Sequence, residues 1–352
     1  MADVIETVIK GWNTGVVGVL TTIVSVTGSA YRKEGAKMWF SNDGGTVGTL
    51  SAGCLEADLS LRAKEALENF QPFVHSYDMT SEDDLGWGRG AGCNGIVEVL
   101  VEPIHASLET NDGNYWGTVV PMLNDGHPLT CVRKMDPDNL NLENFLVFNH
   151  HTKSWYGTLG NPEQDEHWKQ VVEANQGVWQ RSHSRRESDG FYFVDQIEPK
   201  PQVYVFGAGP DAEPLVSLLA TIGFDVSVID HRPNRLKPEL FRDAKRLIDS
   251  RPLEAKQKVQ LLDDSYAIVM THSFQTDEEW VHYLLSKRLK YLGVLGPRAR
   301  TERLLKTVTA PAWLHSPIGL SISADGPEEI AVSVAAELIQ VRRQAENKLN
   351  LD

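Results

Sequence analysis

Two cysteines stand in surroundings of small residues, Cys54 in Thr49-Leu50-Ser51-Ala52-Gly53-Cys54-Leu55-Glu56 and Cys93 in Gly90-Ala91-Gly92-Cys93-Asn94-Gly95. A thiolate is both a nucleophile and a soft metal ligand, so either residue could take part in sulfur transfer or hold a transition metal. The first segment joins an expected strand to an expected helix over 54–70. That would set Cys54 in the first helical turn, where the positive end of the dipole favours the thiolate. Around Cys93 the glycines permit close backbone approach to a ligand. Free cysteine is also among the most buried residue types, so a packing role stands beside the chemical one for both.

A second group of residues fits phosphate chemistry. Gly207-Ala208-Gly209-Pro210-Asp211-Ala212 follows the apolar run 203–206 and precedes a helical pattern, and Asp230 ends the next apolar run. In such a turn Gly207 and Gly209 let the chain fold tightly beneath a phosphate. The helix start at Ala212 supplies N–H donors and a positive dipole end, and Asp230 is placed to accept from a ribose hydroxyl. The pattern does not choose between the pyrophosphate of NAD and another phosphorylated nucleotide or pterin, and a tight turn without ligand is the plain alternative. Gly293-Val294-Leu295-Gly296-Pro297-Arg298-Ala299-Arg300 closes a later strand. There Arg298 and Arg300 either reach an anion or lie solvated at a helix start. Thr271-His272, at another strand end, is the best acid–base candidate. Zinc is disfavoured because no Cys-x-x-Cys occurs and His150-His151 lacks ligand spacing. Serine catalysis lacks its Gly-x-Ser-x-Gly elbow.

The elements that must hold these groups fall on either side of Ile197-Glu198-Pro199-Lys200-Pro201, where two prolines and two charges interrupt the apolar patterns. Domains of 1–198 and 199–352 are expected. Beyond the seam, apolar runs at 203–206, 225–230, 244–248, 266–271 and 291–295 alternate with helical spacing at 215–222, 277–288 and 327–345. Strands separated by helices require right-handed crossovers and a doubly wound parallel sheet of Rossmann-like, α/β class. Before the seam, strands are expected at 16–26, 36–40, 46–50, 96–101, 129–133, 144–148 and 191–194, with helices at 54–70 and 114–124. This describes a mixed α/β domain of underived topology.

The chain of 352 residues carries 34 Lys+Arg against 48 Asp+Glu, a net charge of −14, which argues against nucleic acid as a partner. No apolar run is long enough to span a membrane. The acidic N-terminus does not read as a secretory signal. Three cysteines cannot close a disulfide framework. A cytoplasmic setting is expected.

Taken together, the segments resemble the XdhC/CoxI family, accessory proteins of molybdenum hydroxylases. The resemblance rests on 28–38, Gly48-Thr49-Leu50-Ser51-Ala52-Gly53-Cys54-Leu55-Glu56, 92–103, the Gly207 turn, Val269-Met270-Thr271-His272, 291–298, and Ser316-Pro317-Ile318-Gly319-Leu320 running into Pro327-Glu328-Glu329-Ile330-Ala331. It covers about 15–103 and 202–342. The chain departs from the family pattern at Ala52, Asn94 and Pro210, the last removing one N–H from the phosphate turn.

The resemblance implies a protein that binds the molybdenum cofactor (molybdopterin). It implies help in the cofactor's sulfuration with a cysteine desulfurase, and its delivery to a xanthine dehydrogenase-type apo-enzyme of purine catabolism. By the same analogy the protein is a homodimer, and a maturation chaperone more than an enzyme. In that reading Ser51, Gly53, Cys54, Glu56, Gly92 and Cys93 contact the cofactor from the N-terminal domain, with Cys54 and Cys93 at the metal or the sulfur donor. Gly207, Gly209, Ala212, Asp230, Arg298 and Arg300 hold a phosphorylated portion in the C-terminal domain. The alternative is an NAD(P)-dependent oxidoreductase, or a subunit that associates with xanthine dehydrogenase. The third and weaker reading is a scaffold with a vestigial nucleotide fold.

Overall fold

The computed structural model describes residues 2–51, 53–80, 94–105, 114–135, 140–179, 181–306 and 308–347. Its internal contacts divide the chain into two compact units, Met1–Pro199 and Lys200–Asp352.

The first unit opens with α1 (Ala2–Thr14), then β1 (Gly18–Ser29), β2 (Lys37–Ser41), β3 (Thr46–Gly48), α2 (Glu56–Asn69), β4 (Phe73–Asp78) and β5 (Asn94–Ile104). These strands make an antiparallel sheet in the order β3-β2-β1-β5-β4. The chain continues through α3 (Tyr115–Asn124), β6 (Leu129–Lys134), β7 (Phe145–Asn149), β8 (Ser154–Thr158), α4 (Pro162–Ala174), β9 (His183–Glu187) and β10 (Gly190–Ile197). A second antiparallel sheet follows, β8-β7-β6-β10-β9.

Alternation of side chains across each strand gives the first sheet two apolar faces. One is covered by α2 through Leu59, Ala63 and Ala66, against Val19, Ile23 and Val99. On the other, Leu20 and Trp39 join Val4 and Val8 of α1, Val119 and Val120 of α3, and Cys131 and Val147 of the second sheet. Helix α4 seals the far face of that second sheet with Trp168 and Val172. Two buried ion pairs cross between the sheets, Lys37 to Asp195 at 2.7 Å and Arg133 to Glu102 at 2.9 Å. Cys131 lies in this core, its thiol pushed up to about 12 by burial.

The second unit runs β11 (Gln202–Phe206), α5 (Ala212–Thr221), β12 (Asp225–Asp230), β13 (Arg246–Asp249), α6 (Ala255–Lys258), β14 (Ser265–Val269), α7 (Phe274–Leu285), β15 (Leu289–Val294), α8 (Arg298–Leu305), β16 (Leu314–His315) and α9 (Gly326–Asn347). Every pairing is parallel and the order is β13-β12-β11-β14-β15-β16. The fold is therefore the expected one, a mixed α/β domain followed along the chain by a doubly wound Rossmann-like sheet. Strands β12 and β14 are buried from end to end, which is why they read as unbroken apolar runs. Helices α5 and α9 pack on one face through Leu215, Leu219, Val334 and Leu338. Helix α7 packs on the other through Trp280, Val281 and Leu284, with Leu304 of α8 beside it.

Boundaries differ from expectation in instructive places. The helix expected over 54–70 begins at Glu56, so Cys54 stands ahead of the helix and not in its first turn. Leu55 caps the start with its backbone in the helical region and no side-chain hydrogen bond. Helices α1, α4, α6 and α8 and the strands β4, β8, β9 and β16 add to the expected set. Among the described residues no helix is long and apolar enough to cross a membrane.

Candidate functional site

The order of the parallel sheet reverses between β11 and β14, and ligands of open α/β sheets bind at such a switch, beyond the carboxyl ends of the strands. The glycine turn expected there is in place. Gly207 has φ +121°, and a Cβ on it would stand 2.5 Å from the Met270 carbonyl oxygen of the adjoining strand end. Only glycine fits both constraints. Ala208 is fully buried, and Ala212 begins α5.

Asp230, at the end of β12, is buried and heavily engaged. It accepts from the Ala208 N–H at 2.7 Å and the Arg232 N–H at 2.8 Å. The Arg232 guanidinium adds Nε at 2.9 Å and Nη2 at 2.6 Å. Partial desolvation works the other way, yet these bonds hold its carboxyl down to about 2. Arg235 braces the same turn, donating from Nε to the Ala208 carbonyl at 2.8 Å and pairing with Glu213.

A cleft of about 610 Å³ opens beside the turn, lined by Pro210 and Asp211, by Met270 and His272 beyond β14, by Leu295 and Arg300 beyond β15, and by Pro327 and Ile330 at the start of α9. That volume suits a ligand the size of a nucleotide or pterin. Asp277, buried at the base of α7, ties the cleft together: it accepts from the Thr271 N–H at 3.1 Å and pairs with Arg300 Nη1 at 2.7 Å. The Arg300 guanidinium also stands 5.6 Å from the centre of the Phe274 ring. At the mouth, His272 donates from Nε2 to Asp211 Oδ2 at 2.7 Å, and its own backbone sits at φ +62°. Asp211 Oδ1 is sealed from solvent and has no hydrogen-bond partner among the described residues.

Of the residues singled out in this unit, Gly207, Gly209, Ala212 and Asp230 form one turn, and Arg300 lines the cleft. Arg298 does not line it; it is 81% exposed and pairs along α8 with Glu302 at 3.3 Å. Asp211 and Asp277 escaped the sequence reading as site residues. Asp211 stood inside the glycine motif as a spacer, and only the adjacent strand end carrying His272 reveals what it meets.

In the first unit, Ser51, Gly53, Cys54 and Glu56 share one loop. Glu56 reaches back to accept from Thr49 Oγ1 at 2.6 Å, the Ser51 N–H at 2.8 Å and the Leu50 N–H at 3.2 Å, and Ser51 Oγ also donates to it. Ser51 Oγ in turn accepts from the Leu55 N–H at 3.0 Å and the Gly53 N–H at 3.2 Å. Against the cost of burial, the donors from Ser51 and Thr49 bring the Glu56 carboxyl down to about 2. Gly53, at φ +107°, faces open space. Cys54 is a free, half-buried thiol on this pinned loop. Gly92 and Cys93 lie outside the described residues. Among those described, no group of three or more His, Cys, Asp or Glu could hold a metal ion.

Residues 203–338 match the model of the XdhC Rossmann domain, and residues 12–78 match that of the XdhC and CoxI family. The chain is 40% identical over 326 residues to a probable xanthine dehydrogenase subunit of Bacillus subtilis (strain 168), covering 93% of each protein. The chain belongs to the XdhC/CoxI family. A further relative, the molybdenum cofactor insertion chaperone PaoD of Escherichia coli (strain K12), is 23% identical over 337 residues, 93% of this chain and 84% of its own length. The crystal structure of a xanthine dehydrogenase from Bacillus halodurans superposes with a TM-score of 0.81 at 38% identity, over 98% of this chain and 96% of the other. The XdhC Rossmann match thus spans both the 207–212 turn and the cleft lined by His272 and Arg300, and the XdhC/CoxI match spans the Cys54 loop.

Proposed function

We propose that this chain is a chaperone of the molybdenum cofactor, carrying the phosphorylated pterin in the cleft of the Rossmann-like unit and passing it to a xanthine dehydrogenase-type apo-enzyme. The observation that carries the reading is the cleft itself. It offers a guanidinium fixed by Asp277 for a phosphate and apolar walls at Met270, Leu295 and Ile330 for a flat ring. A phosphorylated heterocycle answers both needs. Family membership and the names of its relatives in Bacillus and Escherichia support the same cargo and client.

In the first unit, Cys54 on its pinned loop, together with Cys93, receives the sulfur from a cysteine desulfurase. Ser51 and Glu56 serve by holding that loop, since their polar groups bond to one another and to its backbone. The NAD(P)-dependent oxidoreductase reading has less support, because Asp230 already has its acceptor positions filled. The test is to co-express the chain with the apo-hydroxylase and to measure molybdenum bound by the purified chaperone and cyanide-labile sulfur in the client. Arg300→Ala is expected to lower cofactor retention, and Cys54→Ser and Cys93→Ser to lower sulfuration with retention intact. Full sulfuration by both cysteine variants would reduce these residues to packing, and a chaperone that never carries pterin would end the reading.

A further inference from the structure

We infer that Arg232 is a specificity residue that closes the ribose position at Asp230, beside the Gly207 turn, so that the adjoining cleft takes a phosphorylated ligand without an adenosine half. The inference rests on the cleft being the ligand site, as proposed above, and adds which ligands that site refuses.

A strand-end carboxylate recognises an adenosine ribose by accepting from its two hydroxyls, and a carboxylate has about four acceptor positions. On Asp230 all are taken: the Ala208 N–H, the Arg232 N–H, and the Arg232 guanidinium through Nε and Nη2. The guanidinium lies flat against both oxygens in the fork geometry that makes such pairs strong, and neutral hydroxyls are weaker partners for the same atoms. The Asp230 side chain is 3% exposed and that of Arg232 44%, so solvent meets the guanidinium and not the carboxylate behind it. Arg235 fixes the turn beneath by bonding the Ala208 carbonyl, which leaves little freedom for the loop to yield.

The cleft lies on the other side of the switch. Its walls come from the segments after β11, β14 and β15 and from the start of α9, and neither Asp230 nor Arg232 lines it. A dinucleotide would straddle both sides of the turn. This site offers one side, with Arg300 as its cation.

The experiment is an NADH fluorescence titration of the full chain, wild type against Arg232→Ala and the double variant Arg232→Ala/Asp230→Asn. Thermal melts of each serve as the folding control. Wild type is expected to bind NADH only in the millimolar range, Arg232→Ala about tenfold or more tighter, and the double variant no better than wild type. If Arg232→Ala does not fold, Arg232→Gln, which keeps the length and removes the fork, takes its place with the same expectation. Micromolar NADH binding by wild type, no gain on removing Arg232, or a gain that survives Asp230→Asn would each overturn the inference. A chain that carries molybdopterin and also binds NADH tightly would sink this inference and spare the proposed function. One that gains NADH with Arg232→Ala but never carries pterin would do the reverse.

Discussion

The two loops that carry the candidate residues are built on one plan and secured in different ways. Both join a strand to a helix, both contain a glycine at positive φ, and both are fastened by a carboxylate held at about 2. In the 49–56 loop the carboxylate is Glu56, the first residue of the helix the loop leads into, and its donors lie within seven positions of it. In the 207–212 turn it is Asp230, which comes from the neighbouring strand, 22 positions from the Ala208 N–H it accepts. The first loop is therefore closed by local chemistry and exposes its glycine to open space. The second exists only once the sheet has formed, and its glycine is pressed against the next strand end. A locally fastened loop can present a reactive side chain with little dependence on the rest of the fold, whereas the sheet-fastened turn is rigid but demands the whole unit.

That contrast is best broken at the glycines. Gly207→Ala combines positive-φ strain with a collision against the Met270 carbonyl, and is expected to destabilise the second unit by about 3–5 kcal/mol in denaturant unfolding followed by hydrogen exchange. An effect no larger than that of Gly53→Ala would show that the turn is not pinned as described. Removing the charge from the fasteners comes next. Asp230→Asn should cost about 2–3 kcal/mol and Glu56→Gln about 1–2 kcal/mol, the larger loss falling on the buried group with the guanidinium partner. Acid sharpens the same comparison. Both carboxyls sit lower in the folded protein than in the unfolded chain, so the unfolded state binds more protons as pH falls. Their contribution is complete above about pH 5 and is lost on the way down to about 2, by something on the order of 1–2 kcal/mol each once solvent near Arg232 and Glu56 is allowed for. A melting temperature that rises below pH 4 would contradict both assignments. The smallest effects should be on the exposed loop: Gly53→Ala by about 1 kcal/mol from backbone strain alone, and Cys54→Ser by under about 0.5 kcal/mol.

The same division explains what could be read from sequence. The parallel sheet was legible because strands covered on both faces are continuous apolar runs, punctuated by Gly207, Gly223 and Gly296. In the first unit the edge strands β8 and β9, Ser-Trp-Tyr-Gly-Thr and His-Ser-Arg-Arg-Glu, are largely polar and follow no buried alternation. Helix α4 did carry a start signal, Asn161 as cap, Pro162 in the first turn and Glu163 with Asp165 behind it, and that signal was there to be used. The start of α2 differs from expectation because Ser51 and Glu56 close a turn over 51–56 ahead of the helix, through side-chain bonds at a spacing that is not a helix-cap signal. At the site, the glycine turn and Asp230 were visible as a motif. The grip of Arg232 on Asp230, the His272–Asp211 pair and the Asp277–Arg300 pair were not, because each depends on side-chain direction or on segments brought together by crossovers.

The Lys37–Asp195 pair joins residues 158 positions apart and buries both charges. On a growing chain this orders events in time. The ammonium of Lys37 emerges long before its partner is made, and an unpaired charge will not enter an apolar core. The face of β2 that carries it must stay wet until β10 has left the ribosome, so the core between the two sheets closes only near the unit's last strand, and the 49–56 loop, whose Leu50 and Leu55 pack on the opposite, α2 face, can form well before that core is dry.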